Sequence, residues 1–144
     1  MSIYFISDVH LGTTDQKRSQ REQEDVLIRF LRDLPGDAEH LYILGDLFDF
    51  WFEYRSAVPS RGARVLFEIY NLIQAGIPVT CLPGNHDIWL GEYLADQVGM
   101  TLHPNPISVE HHGRRLFLAH GDEFRNDWKF RLSRSGLKNR PCIS

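Results

Sequence analysis

The chain has 144 residues, 42% hydrophobic and 24% charged, with a formal charge of −3 and two cysteines. That is enough chain for one domain, over residues 1–144, with a real core. It contains no run approaching the roughly 18 apolar residues of a membrane span, no basic and apolar leader, and no excess charge pulling it toward nucleic acid.

Ile3 to Ile6 is a short apolar run, suited to a strand buried on both faces. A helix follows and ends near Leu34, with Val26, Leu27, Phe30, Leu31 and Leu34 on its apolar side. Pro35-Gly36 stops it, because proline cannot continue the ladder and glycine accepts a left-handed turn. Leu41 to Leu44 is the second strand, and the aromatic loop Phe48 to Tyr54 leads to a helix over 61–75. Leu66, Phe67, Ile69, Tyr70 and Ile73 supply its apolar side, with Gly76 as C-cap. Val79 to Leu82 is the third strand, and a short helix over 90–98 closes at Gly99. Ile107 to Glu110 and Leu116 to Ala119 then form a hairpin through His111-His112-Gly113-Arg114. Parallel βαβ units followed by a hairpin predict an α/β fold with antiparallel additions.

Four segments share one design, an apolar run ending in metal-seeking residues: IYFISDVH, HLYILGDLFD, PVTCLPGNHD and RRLFLAHGD. Their first ligand types fall at Asp8, Asp46, Asn85 and His120, in steps of 38, 39 and 35 residues. Such an interval suits a strand, a crossover helix and a return strand. Ligands in open α/β sheets bind beyond the carboxyl ends of the strands, which is where these residues fall. Asp8 and His10 stand two apart on a loop and can face one ion. Asp46 follows Gly45, which lets the backbone turn sharply, and its two oxygens can bridge two cations. Mixed oxygen and imidazole donors favour Mn²⁺, Fe²⁺ or Zn²⁺ over Ca²⁺. His86, beside Asn85, can contact a phosphoryl group or protonate a leaving oxygen, and Asp87 can orient that imidazole. Taken singly, each motif also reads as an ordinary turn: GDLFD with Asp49 capping something local, GNHD as a Gly-Asn turn.

Together SDVH, GDLFD, GNHD and AHGD resemble the ordered motifs of the calcineurin-like metallophosphoesterases. The longer forms ISDVHLG, GDLFDFWFEY, PGNHDIW and HGDE are most similar to the UDP-2,3-diacylglucosamine hydrolases of lipid A biosynthesis. The resemblance spans residues 3 to about 127. It implies a mixed β-sheet core flanked by helices and two divalent ions, with Mn²⁺ the first expectation. Asp8 and His10 would hold the first ion, Asp46 would bridge, and Asn85 and His120 would hold the second. Asn85 and His86 would touch the substrate, a nucleotide-linked lipid met at the cytoplasmic face of the inner membrane. The implied reaction is attack of metal-bound hydroxide on phosphorus, giving UMP and 2,3-diacylglucosamine 1-phosphate.

Two departures qualify the likeness. Many lipid A hydrolases carry arginine where this chain has His86. The family also completes its site with a later Gly-x-His type segment, and no histidine follows His120. The expectation is therefore the N-terminal portion of a longer fold, carrying five of seven ligands. Another phosphodiesterase activity, or a fragment that binds metal or phosphate without turnover, are the competing readings.

Other residues carry blander expectations. His111 and His112 read as solvated turn residues, and His40 and His103 as structural or surface groups. Cys81 and Cys142 read as free thiols in a reducing cytoplasm. Trp51, Phe52, Tyr54 and Trp89 can either line a pocket for acyl chains or a base, or pack under the loops. The basic tail, with Arg125, Lys129, Arg131, Arg134, Lys138 and Arg140, reads as a solvated helix face or a contact with an anionic membrane. No serine has a GxSxG context, so serine nucleophile chemistry is unsupported.

Overall fold

A computed structural model describes residues 1–13, 19–54, 57–87 and 90–121. Trp89, Asp122, Cys142 and the basic tail lie outside these described residues. Strands β1 (Ser2–Ile6), β2 (Ala38–Leu44), β3 (Val79–Leu82) and β4 (Thr101–Leu102) form one sheet in the order β1-β2-β3-β4. All three pairings are parallel. Helix α1 (Gln20–Asp33) links β1 to β2, and α2 (Ala63–Gln74) links β2 to β3. Ser19 and Glu22 form a reciprocal capping box at the start of α1, which satisfies two amides the first turn leaves unpaired.

The helices bury one face of the sheet, and their buried stripes differ from the sequence expectation. In α1 the stripe is Glu24, Leu27, Ile28 and Leu31, while Val26 is 47% exposed. In α2 it is Val65, Leu66, Glu68, Ile69 and Leu72, leaving Phe67 63% and Tyr70 40% exposed. The cause is a set of charge pairs between the helices, which brings two glutamates into the stripe. Arg64 meets Glu24 at 3.3 Å and Asp25 at 2.5 Å, and Arg32 meets Glu68 at 2.6 Å. Apolarity alone could not reveal stripes that include paired carboxylates.

The expected helix over 90–98 is a six-residue π-helical turn, Tyr93–Val98, closed by left-handed Gly99. Its first amides, Tyr93 N–H and Leu94 N–H, donate to the Glu53 carboxylate at 3.0 and 3.4 Å. Strand β4 has two residues, too short to leave a pattern in the sequence.

Strands β5 (Ile107–His111) and β6 (Arg114–Leu118) form the expected antiparallel hairpin. Its two-residue turn is His112-Gly113, with φ of +53° and +75°, the sign a tight hairpin turn needs. The hairpin covers the second face of the sheet. Leu118 packs there with Tyr42 and Leu82, bordered by Ile3, Leu44, Ile107, Val109 and Leu116. The layers are therefore helices, parallel sheet and hairpin, a mixed α/β architecture.

One expectation fails here. His111 is not a solvated turn residue but the half-buried last residue of β5, with Nε2 2.6 Å from the Tyr42 hydroxyl. Register explains it: Ile107, Val109 and His111 share the inward face of β5. Cys81 is a buried free thiol, and burial pushes its pKa well above the ordinary range. No helix among the described residues is long and apolar enough to cross a membrane.

Candidate metal centre

The β1–β2 pairing continues past the strand ends as two loops running side by side. Asp8 N–H donates to Gly45 O at 3.2 Å, His10 N–H to Asp46 O at 2.9 Å, and Leu11 N–H to Leu47 O at 2.9 Å. Asp49 N–H then returns to Leu11 O at 3.0 Å. This ladder sets the DVH and GDLFD segments against each other. Asp8, His10 and Asp46 all hold left-handed backbone, with φ of +56°, +52° and +52°. Asp and His visit that region more readily than most residues, yet strain of this kind, about 1–3 kcal/mol each, concentrates at functional sites.

The five expected ligands form one continuous row. Asp8 Oδ1 lies 3.8 Å from His10 Nε2, which lies 3.5 Å from Asp46 Oδ2. Asp46 Oδ2 lies 3.3 Å from His120 Nε2, which lies 3.1 Å from Asn85 Oδ1. Asp46 is the middle of the row and 2% exposed. These spacings suit donors arranged around cations, since tetrahedral ligands at about 2.05 Å stand roughly 3.3 Å from one another. The donors are carboxylate, amide and imidazole, the set that borderline divalent ions take. His120 is oriented by Nδ1, 2.7 Å from Leu44 O, which leaves Nε2 facing the row.

Asp87 occupies a different place from the one expected. It does not orient the His86 ring; it is fully buried beneath the loops. Its Oδ1 accepts from Asp46 N–H at 3.0 Å and Gly84 N–H at 2.7 Å. Its Oδ2 accepts from Leu47 N–H at 2.7 Å and Phe48 N–H at 3.2 Å. Four backbone donors converge on this one carboxylate, which therefore ties the GNHD turn to the GDLFD turn.

The group beside His86 is Asp49, which sequence reasoning left as a local cap. His86 Nδ1 lies 3.1 Å from Asp49 O and 3.4 Å from Asp49 Oδ1. Asp49 Oδ1 also lies 3.6 Å from His10 Nδ1, and the His10 and His86 rings meet edge to face at 4.7 Å. His10, Asp49 and His86 consequently form a second group able to hold an ion, alongside Asp8, His10 and Asp46. The repeated spacing of acids in GDLFD was the available signal. His86 N–H donates to Asp46 Oδ1 at 2.9 Å, so the turn carrying His86 is fixed on the central carboxylate.

Glycine is required where these turns cross. A Cβ on Gly84 would overlap the Asp46 carboxylate and lie 2.5 Å from its amide nitrogen. Gly84→Ala should therefore displace Asp46 and lower ion affinity by at least tenfold, read by Mn²⁺ titration against wild type. Unchanged affinity would show that the close crossing is not needed.

The layered α/β fold and this row of donors, set beyond the carboxyl ends of three parallel strands with His120 brought in by the hairpin, define a metal-dependent phosphoesterase architecture. Residues 1–141 match the calcineurin-like phosphoesterase family, and the chain belongs to it. Membership implies divalent metal ions. Relatives named UDP-2,3-diacylglucosamine hydrolase are 38% identical over 141 residues in Porphyromonas gingivalis and 41% identical over 123 residues in Aeromonas hydrophila. These matches cover 94% and 85% of this chain but 53% and 48% of the relatives, so the chain spans about half their length. A crystal structure of a protein of unknown function from Aquifex aeolicus aligns over 90% of this chain and 73% of its own, with a TM-score of 0.55 and 19% identity, a likeness of fold.

Proposed function

We propose that the chain carries a phosphoester hydrolase centre acting on UDP-2,3-diacylglucosamine, to give UMP and 2,3-diacylglucosamine 1-phosphate. The observation that carries the chemistry is the row of five donors centred on buried Asp46. The relatives' name supports the substrate. Asp8, His10 and Asp46 would hold one ion, and Asp46, Asn85 and His120 another, with Mn²⁺ the first choice. Ions held there would polarise the phosphoryl group and offset charge developing on it.

The chain's own groups do the rest. His86 has Nδ1 engaged by Asp49, so Nε2 is the nitrogen placed to meet a phosphoryl oxygen or hand a proton to the leaving oxygen. Phe50 and Tyr54 are 68% and 70% exposed on the loop that follows Asp49. Trp51, by contrast, is fully buried against Phe48 at 4.3 Å and anchors that loop. Exposed aromatics on an anchored loop beside the centre suit a substrate with apolar arms. On this reading the substrate would be met at the cytoplasmic face of the inner membrane.

The test is release of UMP from UDP-2,3-diacylglucosamine with Mn²⁺, using the longest form of the protein that the gene encodes. Hydrolysis of bis-p-nitrophenyl phosphate without UMP release would move the substrate elsewhere within the family. Ion binding without either reaction would favour a binding role. In an active form, His86→Ala should lower turnover by about 10²–10⁴-fold with metal content unchanged. Metal lost together with activity would make His86 a ligand instead.

A further inference from the structure

At the end of the sheet remote from the donor row, two imidazoles flank one tyrosine. The His40 ring stacks on Tyr42 at 4.0 Å and 6°, with Nε2 2.8 Å from Thr80 Oγ1. His111, on β5, meets the Tyr42 hydroxyl through Nε2 at 2.6 Å and faces the His40 ring at 5.7 Å. The cluster joins β2 and β3 of the sheet to the hairpin. The hairpin's second strand runs through Ala119 directly into His120.

We infer that His40 and His111 form a proton-sensitive latch that holds the β5–β6 hairpin on the sheet and lets it go in acid. With its proton on Nδ1, neutral His111 accepts from the Tyr42 hydroxyl, whereas its protonated form turns Nε2 into a donor and forces that hydroxyl to turn its hydrogen away. Two imidazolium rings at this separation would also repel across a partly buried gap. The surroundings decide the balance. Glu39 on β2 pulls His40 toward protonation, and its Oε2 also meets His112 Nε2 of the turn at 2.9 Å, a contact that ties the turn to β2 and opposes release. Arg114 of β6 is paired across from His111 and adds positive charge on the same face. Glu110 and Arg115 sit opposite each other on the outer face. Ile3 of β1 lies beside His40 and brings no charge, as do Thr80 of β3 and Thr101 of β4.

Burial and then the nearby His111 ring hold the His40 pKa below its ordinary 6.5. A released hairpin returns His40 toward that value, so below about pH 6.5 the released form binds more protons. The latch is at full strength above that pH and weakens as the pH falls through it. The latch stands independently of the proposed function; its consequence for the metal centre, withdrawal of His120, rests on that reading.

Amide hydrogen exchange of the full chain, corrected for the intrinsic pH dependence of exchange, tests this between pH 7.5 and 5.5. Protection over residues 107–118 should fall on acidification, by up to about tenfold per pH unit for each extra proton bound, while β1 to β3 keep theirs. His40→Gln, which keeps a donor for Thr80, and His111→Gln should each flatten the profile. A flat wild-type profile would overturn the latch. So would an equal loss in β1 to β3, or wild-type pH dependence in both variants.

Discussion

Asp87→Ala should destabilise the chain by about 4 kcal/mol or more, four buried donors left unsatisfied at the low end of about 1–3 kcal/mol each. Four amides, those of Asp46, Leu47, Phe48 and Gly84, lose their common acceptor in this variant. Asp87 is fully buried, so water has no ready route to replace the carboxylate. With total stabilities of about 5–15 kcal/mol, a loss of this size removes a large share. Thermal unfolding should show a midpoint lower by on the order of 10 °C. Asp87→Asn should recover only part of the loss, because an amide nitrogen facing two N–H donors cannot accept from them. A midpoint within two or three degrees of wild type in Asp87→Ala would show that these four hydrogen bonds do not hold the two turns together.

Asp46→Ala should abolish ion binding at both expected positions. Asp46 Oδ2 lies within 3.5 Å of both His10 Nε2 and His120 Nε2. Without it the row divides into Asp8 with His10 and Asn85 with His120, two donors each. The same change removes the acceptor for His86 N–H, so the turn bearing the proposed acid loosens too. Elemental analysis of purified protein decides the outcome. Two ions per chain retained in the variant would refute the bridging role. One retained ion that is lost again when Asp46→Ala is combined with Asp49→Ala would place it in the His10, Asp49 and His86 group, and one retained regardless would assign Asp46 to a single site.

The placement of the donors was legible in the sequence because two independent periodicities coincide. Short apolar runs mark buried parallel strands, and the residue that ends each run is a metal-seeking type. Asp8, Asp46 and Asn85 therefore follow neighbouring strands of one parallel sheet, whereas His120 reaches them from the antiparallel hairpin laid on the other face, a placement the spacing alone did not give. Asp49 and Asp87 were harder to read, since both lie in the same motifs as ligand types. Their roles depend on which backbone amides gather around one carboxylate and which ring nitrogen faces another, and neither property has a sequence period. The helix faces mislead in a related way. Glu24 and Glu68 are drawn inward by Arg64 and Arg32, and Phe67 and Tyr70 are left outside. His111 was misjudged because its neighbour His112, not His111, takes the first left-handed position of the turn.

The donor row is drawn from four segments separated by 35 to 39 residues. An unfolded chain holds no such assembly, so an ion bound by these residues selects the native state. Free cation concentration then becomes a variable of folding as well as of chemistry. At a hundredfold excess over its dissociation constant, a single ion adds about 2.7 kcal/mol to the folded state. In that regime metal starvation would expose the protein to unfolding and proteolysis, so the pool of folded molecules would track the ion that equips them.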